Sequence, residues 1–291
     1  MLEVATKRDV DNEYTRISTF KEMVEALEEI AANRMQNTRS YVLRSRTFID
    51  ELDFIFQQVK HSYKSEVERL MKEKKGKDAE KFSFLKKNGK TVFILLSANA
   101  GLYGGIIRET FNFFLDLIKK ESADVAIIGR VGREYFRESD LSIPHTDFDM
   151  PDSGTDNESL KKIVNYILQY QRVFVVYPRF DAVTSQHPAV TGISGDILPQ
   201  EQNMPYVKYF FEPSLDKILQ FFEAEIFASL FEQTLFESRL AKFASRMTTL
   251  ELRAQKIKDI LKNIYIERGR IRHRIQNKKQ LETFASMSLW R

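Results

Sequence analysis

The sequence predicts an α/β fold of a particular build: a long antiparallel two-helix coiled coil formed by the N- and C-terminal helices, with a Rossmann-like α/β domain inserted between them. Three observations predict it. The last seventy-odd residues read as one helix with a heptad repeat. The first seventy-odd carry a looser version of the same repeat, and the middle alternates apolar strand-like runs with amphipathic stretches. The corresponding segments are an N-terminal helix over 1–75, an α/β domain over 90–212 and a C-terminal helix over 213–291.

In the C-terminal segment one apolar set runs Leu240, Met247, Ala254, Leu261. A second runs Phe243, Leu250, Ile257, Ile264, Ile271, offset by three. No Pro follows Pro213, and Gly269 is the only Gly. A strict seven-residue spacing is the narrow seam of a coiled coil rather than the wider stripe of a globular helix. Such a helix needs a partner along its length.

The N-terminal partner spans about residues 10 to 73. Ile17, Val24, Ala31 and Leu52 keep one frame, and Phe20, Leu27, Tyr41, Phe48 and Ile55 keep the other. Met23 and Ile30 widen the face, whereas Arg34, Thr38 and Ser45 interrupt it. At about 1.5 Å per residue the two helices would be on the order of 90 and 110 Å long. A compact chain of this size has a radius of gyration of roughly 19 Å, so a rod with an attached domain is expected.

Between the rods, residues 91–97, TVFILLS, form a continuous apolar, β-branched run typical of a buried strand. The turn ANAGLYGG and an amphipathic helix over 106–120 follow. A second strand at 124–128 leads to Gly129 and a short helix around 133–136. A polar, proline-bearing loop then precedes a helix over 157–170. Strands at 172–177 and 206–211 come last, and Ser214 can cap the long C-terminal helix. Alternating strands and helices predict βαβ crossovers and a mostly parallel sheet.

Composition narrows the function classes. The chain is 43% hydrophobic and 30% charged, with a mean hydropathy of −0.38. The charged share exceeds the usual quarter, as long solvated helix faces require. There is no apolar stretch long enough for a transmembrane span and no signal-peptide core in the first residues. Zero cysteines remove thiol and disulfide chemistry and fit a reducing compartment. His61, His145, His187 and His273 lack ligand spacing, so neither a metal nor a cofactor is expected.

Two motifs invite a chemical reading. Gly101, Gly104 and Gly105 at a helix entrance could cradle a phosphate on backbone amides. The spacing fits neither the dinucleotide nor the Walker pattern, and structural glycines are the preferred reading. Asp147, Asp149 and Asp152 could suggest calcium, but the later Glu of an EF-hand is missing; a solvated loop is expected. No catalytic residue is assigned.

Several segments resemble the gamma subunit of F-type rotary ATP synthases. Residues 23–35, MVEALEEIAANRM, are similar to the family's ITKAMxMVAASKM, with Ala26, Ala31, Ala32 and Met35 in register. SANAGLYGG at 97–105 resembles SDxGLCGG, and IIGRVGREYF at 127–136 resembles GRKGxxFF. FESRLAKFASRM at 236–247 resembles LESxASExAARM, and Leu198-Pro199 and Phe211-Glu212-Pro213 stand where the family has LLP and FEP. The departures are an acidic N-terminal helix (Glu22, Glu25, Glu28, Glu29), Tyr103 where cysteine is common, and a family NRxRQ kept only at Arg268 and Arg270.

The resemblance implies a non-catalytic rotor. A stiff, asymmetric shaft turns inside a ring of alternating alpha- and beta-type ATPase subunits, with an epsilon-type subunit and a membrane c-ring as further partners at the foot. It implies a peripheral place at the cytoplasmic face of the membrane, with no span of its own. Implied contacts to the catalytic ring are Met23, Ala26, Arg34, Arg246, Arg253, Lys256, Lys262, Arg268, Arg270 and Arg272, with Leu289 and Trp290 in a bearing. Residue chemistry agrees on the basic stretch: residues 252–279 hold ten Lys and Arg against two acidic residues. Three rivals stay open: a gamma-like shaft of a repurposed motor, a basic coiled coil on nucleic acid (pI near 9.0), and a static scaffold. Against nucleic acid, the net charge is only +4 and the aromatics lie on the seam.

Overall fold

The computed structural model describes residues 6–63, 87–139, 141, 143–154, 156–193, 212 and 214–288. Its elements are α1 (Lys7–Ser62), β1 (Thr91–Leu96), α2 (Ile106–Ile118), β2 (Asp124–Ile128), α3 (Arg130–Glu138), β3 (His145–Phe148), α4 (Asn157–Ile167), β4 (Arg172–Ala182), β5 (Ser185–Gly192) and α5 (Leu215–Ser288). Long N- and C-terminal helices flank a central mixed sheet. Cα packing divides the chain into two units: Met1–Ala32 with Arg246–Arg291, and Asn33–Ser245.

The second unit holds the sheet, in the order β3-β2-β1-β4-β5. β1 pairs parallel with β2 and β4, β2 pairs parallel with β3, and β4 and β5 form an antiparallel hairpin. β1 is buried at all six positions, as expected of a central strand covered on both faces. Its alternate side chains feed two cores. Val92, Ile94 and Leu96 pack with Ile163 and Ile167 of α4 and with Phe227, Phe231 and Leu235 of α5. Phe93 and Leu95 pack with Phe111, Phe114 and Ile118 of α2 and Phe136 of α3. Each such large apolar side chain contributes on the order of 1.5–3 kcal/mol by leaving water.

Two strands differ from expectation. β3 lies within the stretch read as a polar loop, and β5, SQHPAVTG, was not foreseen. Both are sheet edges with polar or alternating sequences. Pro188 in β5 is tolerated because an edge strand has one side free of the ladder. The strand expected at 206–211 lies outside the described residues, as does the extension of α1 toward residue 73.

Within this unit α1 packs antiparallel on α5. Val42 meets Phe236 and Leu240, the Tyr41 and Phe236 rings lie 3.9 Å apart, and Phe56 faces Phe222 at 5.7 Å. In the other unit the same two helices meet through Val24 with Leu250, Ala254 and Ile257, and through Val10 with Ile264 and Ile271. Ion pairs Glu25–Lys258 (3.5 Å) and Asp11–Arg268 (2.5 Å) flank that seam.

The seam of α5 follows the expected heptads: Leu240, Phe243, Leu250, Ala254, Ile257, Ile264 and Ile271 are buried, and Met247 and Leu261 are half-buried. The frame of α1 needs correction. Phe20, Met23, Ile30, Phe48 and Ile55 are exposed, and Leu52 is half-buried. The buried positions are instead Val10, Val24 and Ala31 in one frame and Val42, Ile49 and Phe56 in another. Met35, packed against the cluster of Val42, Phe236 and Leu240, opens the second frame four residues after Ala31. A four-residue insertion is a stutter, which a helix of 3.6 residues per turn absorbs by local unwinding. A heptad extended unbroken from Ile17 therefore points to the wrong residues beyond Ala31.

Among the described residues, no helix is long and apolar enough to cross a membrane. No group of three or more His, Cys, Asp or Glu stands ready to hold a metal ion.

Candidate functional site

In open parallel sheets, ligands bind outside the carboxyl ends of the strands. Here that place is built from the turn after β1, the start of α3, the loop after β3 and one face of α5. The turn after β1 carries the glycine motif. Leu102 and Gly104 have φ of 68° and 63°, the left-handed region, so the chain doubles back before α2 begins. A Cβ on Gly101 would meet nothing within 4 Å, and one on Gly105 would approach only the flexible Glu109 carboxylate, at 3.0 Å.

Two amides at the head of this turn are taken by the chain itself. Asp152 accepts the N–H of Asn99 at 2.9 Å and that of Ala100 at 2.9 Å. Asn99 donates its side-chain amide to the carbonyl of Met150 at 2.6 Å and accepts the Arg130 N–H at 2.8 Å. Arg130 in turn donates its guanidinium to the Asn99 carbonyl at 3.1 Å. A carboxylate thus stands against these two amides.

The helix α5 closes the crevice. Lys242 donates to the carbonyl of Ser97 at 2.8 Å and lies 3.6 Å from Asp152. Arg239 donates to the carbonyl of Pro151 at 3.0 Å, and the Ser245 hydroxyl to the carbonyl of Tyr103 at 2.8 Å. All three are buried, and burial pushes the Arg239 guanidinium below its usual range, with Asp152 opposing. Tyr103, Ile106 and Ile107 pack with Phe243.

In the acidic loop Asp147 and Asp149 are exposed, as expected, with Asp147 3.7 Å from His145 and Asp149 paired with Arg133. Asp152 departs from that expectation: it is sequestered on two amides and Lys242. Two further glycines are required here. Gly129 has φ of 106°, and its Cβ would lie 2.9 Å from the backbone of Ala98; at Gly132 a Cβ would fall 2.6 Å from that of Ser97.

The residues predicted to touch a partner are distributed along both helices. Met23 is 56% exposed, and Ala26, Arg253, Lys256, Lys262, Arg270 and Arg272 are exposed as well. Arg34 sits 5.9 Å over the Phe243 ring, and Arg246 is half-buried. Arg268 pairs with Asp11 and lies 5.6 Å over the Tyr14 ring. Leu289 and Trp290 fall outside the described residues; Leu281, Phe284 and Met287 before them are exposed.

Sequence reasoning missed Arg239, Lys242, Ser245 and Asn99, and placed Asp152 in a solvated loop. A signal existed: Arg239, Lys242 and Ser245 recur every three residues in a stretch otherwise small and apolar. On a helix, that spacing keeps polar groups near one face.

A mixed α/β sheet flanked by long N- and C-terminal helices, with the chain's own charges in its strand-end crevice, defines a helical stalk-type protein. The chain belongs to the ATP synthase family, whose family model matches residues 6–275. Its relatives are ATP synthase gamma chains. That of Pelotomaculum thermopropionicum is 22% identical over 277 residues, covering 91% of this chain and 92% of the relative. That of Chloroherpeton thalassium is 22% identical over 303 residues, covering 96% of each. Among solved structures, a chain of the Tetrahymena thermophila mitochondrial ATP synthase central stalk and c-ring matches with a TM-score of 0.54. Its identity is 20%, over 79% of this chain and 98% of that one, which establishes the shared fold.

Proposed function

We propose that this chain is the non-catalytic rotor of a rotary ATPase, turning inside a ring of alpha- and beta-type subunits and coupling its rotation to ATP synthesis or hydrolysis. In this reading the helices of 1–75 and 213–291 form the shaft and 90–212 the foot. The foot faces an epsilon-type subunit and a membrane c-ring, so the protein works peripherally at the cytoplasmic face of the membrane.

The observation that carries the reading is the end-to-end kinship with gamma chains, which follows the same order of elements. Local chemistry supports it. The strand-end crevice is filled from within, so the chain offers catalysis no pocket there. The exposed side of α5 is basic at Arg253, Lys256, Lys262, Arg270 and Arg272. A rotor acts by making different contacts with each ring subunit at each angle, which shifts their conformational equilibria in turn. Contacts proposed for the ring are those exposed basic residues with Met23, Ala26, Arg34, Arg246 and Arg268, and Leu289 and Trp290 at the tip.

The test is affinity purification of the full chain followed by mass spectrometry. Recovery of two related P-loop subunits in excess over the bait is expected. Replacing Arg253, Lys256, Arg270 and Arg272 together by Glu should weaken assembly or uncouple hydrolysis from rotation while the chain stays folded. Because single surface charges contribute little, a single replacement should change turnover only slightly. Salt-sensitive retention on DNA without such subunits would favour the nucleic-acid reading instead.

A further inference from the structure

Resting on the rotor reading, we propose that Arg239, Lys242 and Ser245 form a torsional clamp that makes α5 and the sheet domain turn as one body. The three side chains stand at i, i+3 and i+6 on α5, and each donates to a backbone carbonyl: Pro151, Ser97 and Tyr103 respectively. These carbonyls belong to different loops, one after β3 and two along the turn after β1.

The geometry suits torque. Three residues advance a helix by about 300°, so successive clamp members are offset by roughly 60° around the axis and about 4.5 Å along it. The three anchors therefore resist sliding as well as turning. A tip roughly 5 Å from the axis moves about 2 Å when the helix turns by 20°, enough to break a hydrogen bond near 2.8 Å. The apolar contacts of Phe227, Phe231 and Leu235 with the sheet lack this property, because hydrophobic association is non-directional and tolerates slip.

Burial makes the clamp stiff. A turned helix would leave the Lys242 ammonium without the Ser97 carbonyl and Asp152, in a site where water cannot readily replace them. Asp152 extends the grip by holding the Asn99 and Ala100 amides, so the loop after β3, the turn after β1 and α5 move together. α5 continues unbroken to Ser288, so a torque applied anywhere along it arrives at these three residues.

The experiment uses the complex purified with its native ring. The chain contains no cysteine, so one introduced at exposed His187 on the β4–β5 hairpin gives a single attachment point for a bead. With the ring immobilised and the motor stalled, the angular fluctuation of the bead reports torsional stiffness. Lys242→Met should lower the stiffness at least twofold while ATP turnover per ring stays within the wild-type range. Ser245→Ala, which removes one neutral hydrogen bond, should lower it less. Ile163→Val, a core change in α4 away from the clamp, should leave it unaltered. Wild-type stiffness in both Lys242→Met and Ser245→Ala overturns the clamp. So does an equal loss in Ile163→Val, which would trace stiffness to general stability. A wild-type complex that hydrolyses ATP without turning the bead rejects the rotor reading itself, and is recognisable as such before any variant is made.

Discussion

The ammonium of Lys242 lies 3.6 Å from the Asp152 carboxylate, with both side chains nearly buried at 7% and 11% exposure. The pair joins residues 90 positions apart in sequence and closes the end of the sheet where a parallel α/β protein usually takes its ligand. The same carboxylate receives two backbone amides, so its removal takes the counter-charge from a buried cation and the acceptor from two donors at once.

Asp152→Ala should therefore destabilise the chain by about 3–5 kcal/mol, the range for breaking a buried ion pair by deleting one partner. Lys242→Met should cost less, because the two amides keep their acceptor. Urea denaturation of both variants checks this, and a loss below about 1 kcal/mol for Asp152→Ala would mean that the site is open to water.

The glycines should separate by position rather than by motif. Gly129→Ala must place a Cβ at φ of 106° and 2.9 Å from the backbone of Ala98, which should cost about 2 kcal/mol or more. Gly132→Ala should also destabilise, because Ser97 would have to move. Gly101→Ala meets open space and should change stability by less than about 1 kcal/mol. Thermal melts of the three variants test the order.

The frame shift in α1 has its own signature. Phe48→Ala removes the larger side chain, yet Phe48 is exposed and Val42 is buried. Val42→Ala should be the more damaging of the two, by about 1 kcal/mol or more, and Phe48→Ala should stay within about 0.5 kcal/mol. On α5, Leu250→Ala should cost about 2–5 kcal/mol and Leu252→Ala almost nothing. An uninterrupted heptad in α1 would reverse the first pair.

Alkaline titration should find three tyrosines held back by burial. Burial raises Tyr170, reinforced by Tyr166 and Asp124; burial also raises Tyr177 and Tyr41, with Glu232 adding to the latter. Groups raised in the folded state give stability that is intact below the ordinary tyrosine pKa of about 10 and is lost as pH climbs above it. Absorbance near 295 nm should show Tyr170, Tyr177 and Tyr41 ionising late, with the unfolding transition, and replacing any of them by Phe should shrink that phase. Absence of any late phase from the wild-type titration would show these three to be solvated.

Much of this fold was legible because it is periodic. Leu250, Ile257, Ile264 and Ile271 recur every seven residues, and a helix translates that spacing directly into a buried line. The run at 91–97 read as a buried strand because apolar side chains at every position suit a strand covered on both faces. Where the signal depended on continuity it failed: the step from Ala31 to Met35 changes frame without a glycine or proline to announce it. The edges β3 and β5 were hidden for a related reason, since an edge strand has one face and one ladder side in water and so carries little hydrophobic pattern.

By itself, the sequence determined the elements that rest on local periodicity: two long helices, a buried central strand, and crossovers between strands. The tertiary structure alone decided the fate of the polar residues. The three-residue recurrence of Arg239, Lys242 and Ser245 marks a helix face but not what that face meets: the partners of Lys242 are a carbonyl at Ser97 and a carboxylate at Asp152. Nor does the run ANAGLYGG disclose that Asp152, some fifty residues on, occupies two of its amides, those of Asn99 and Ala100. Charges and hydrogen bonds are satisfied by whatever the fold brings within about 3 Å, and that proximity exists only after the apolar pattern has folded the chain.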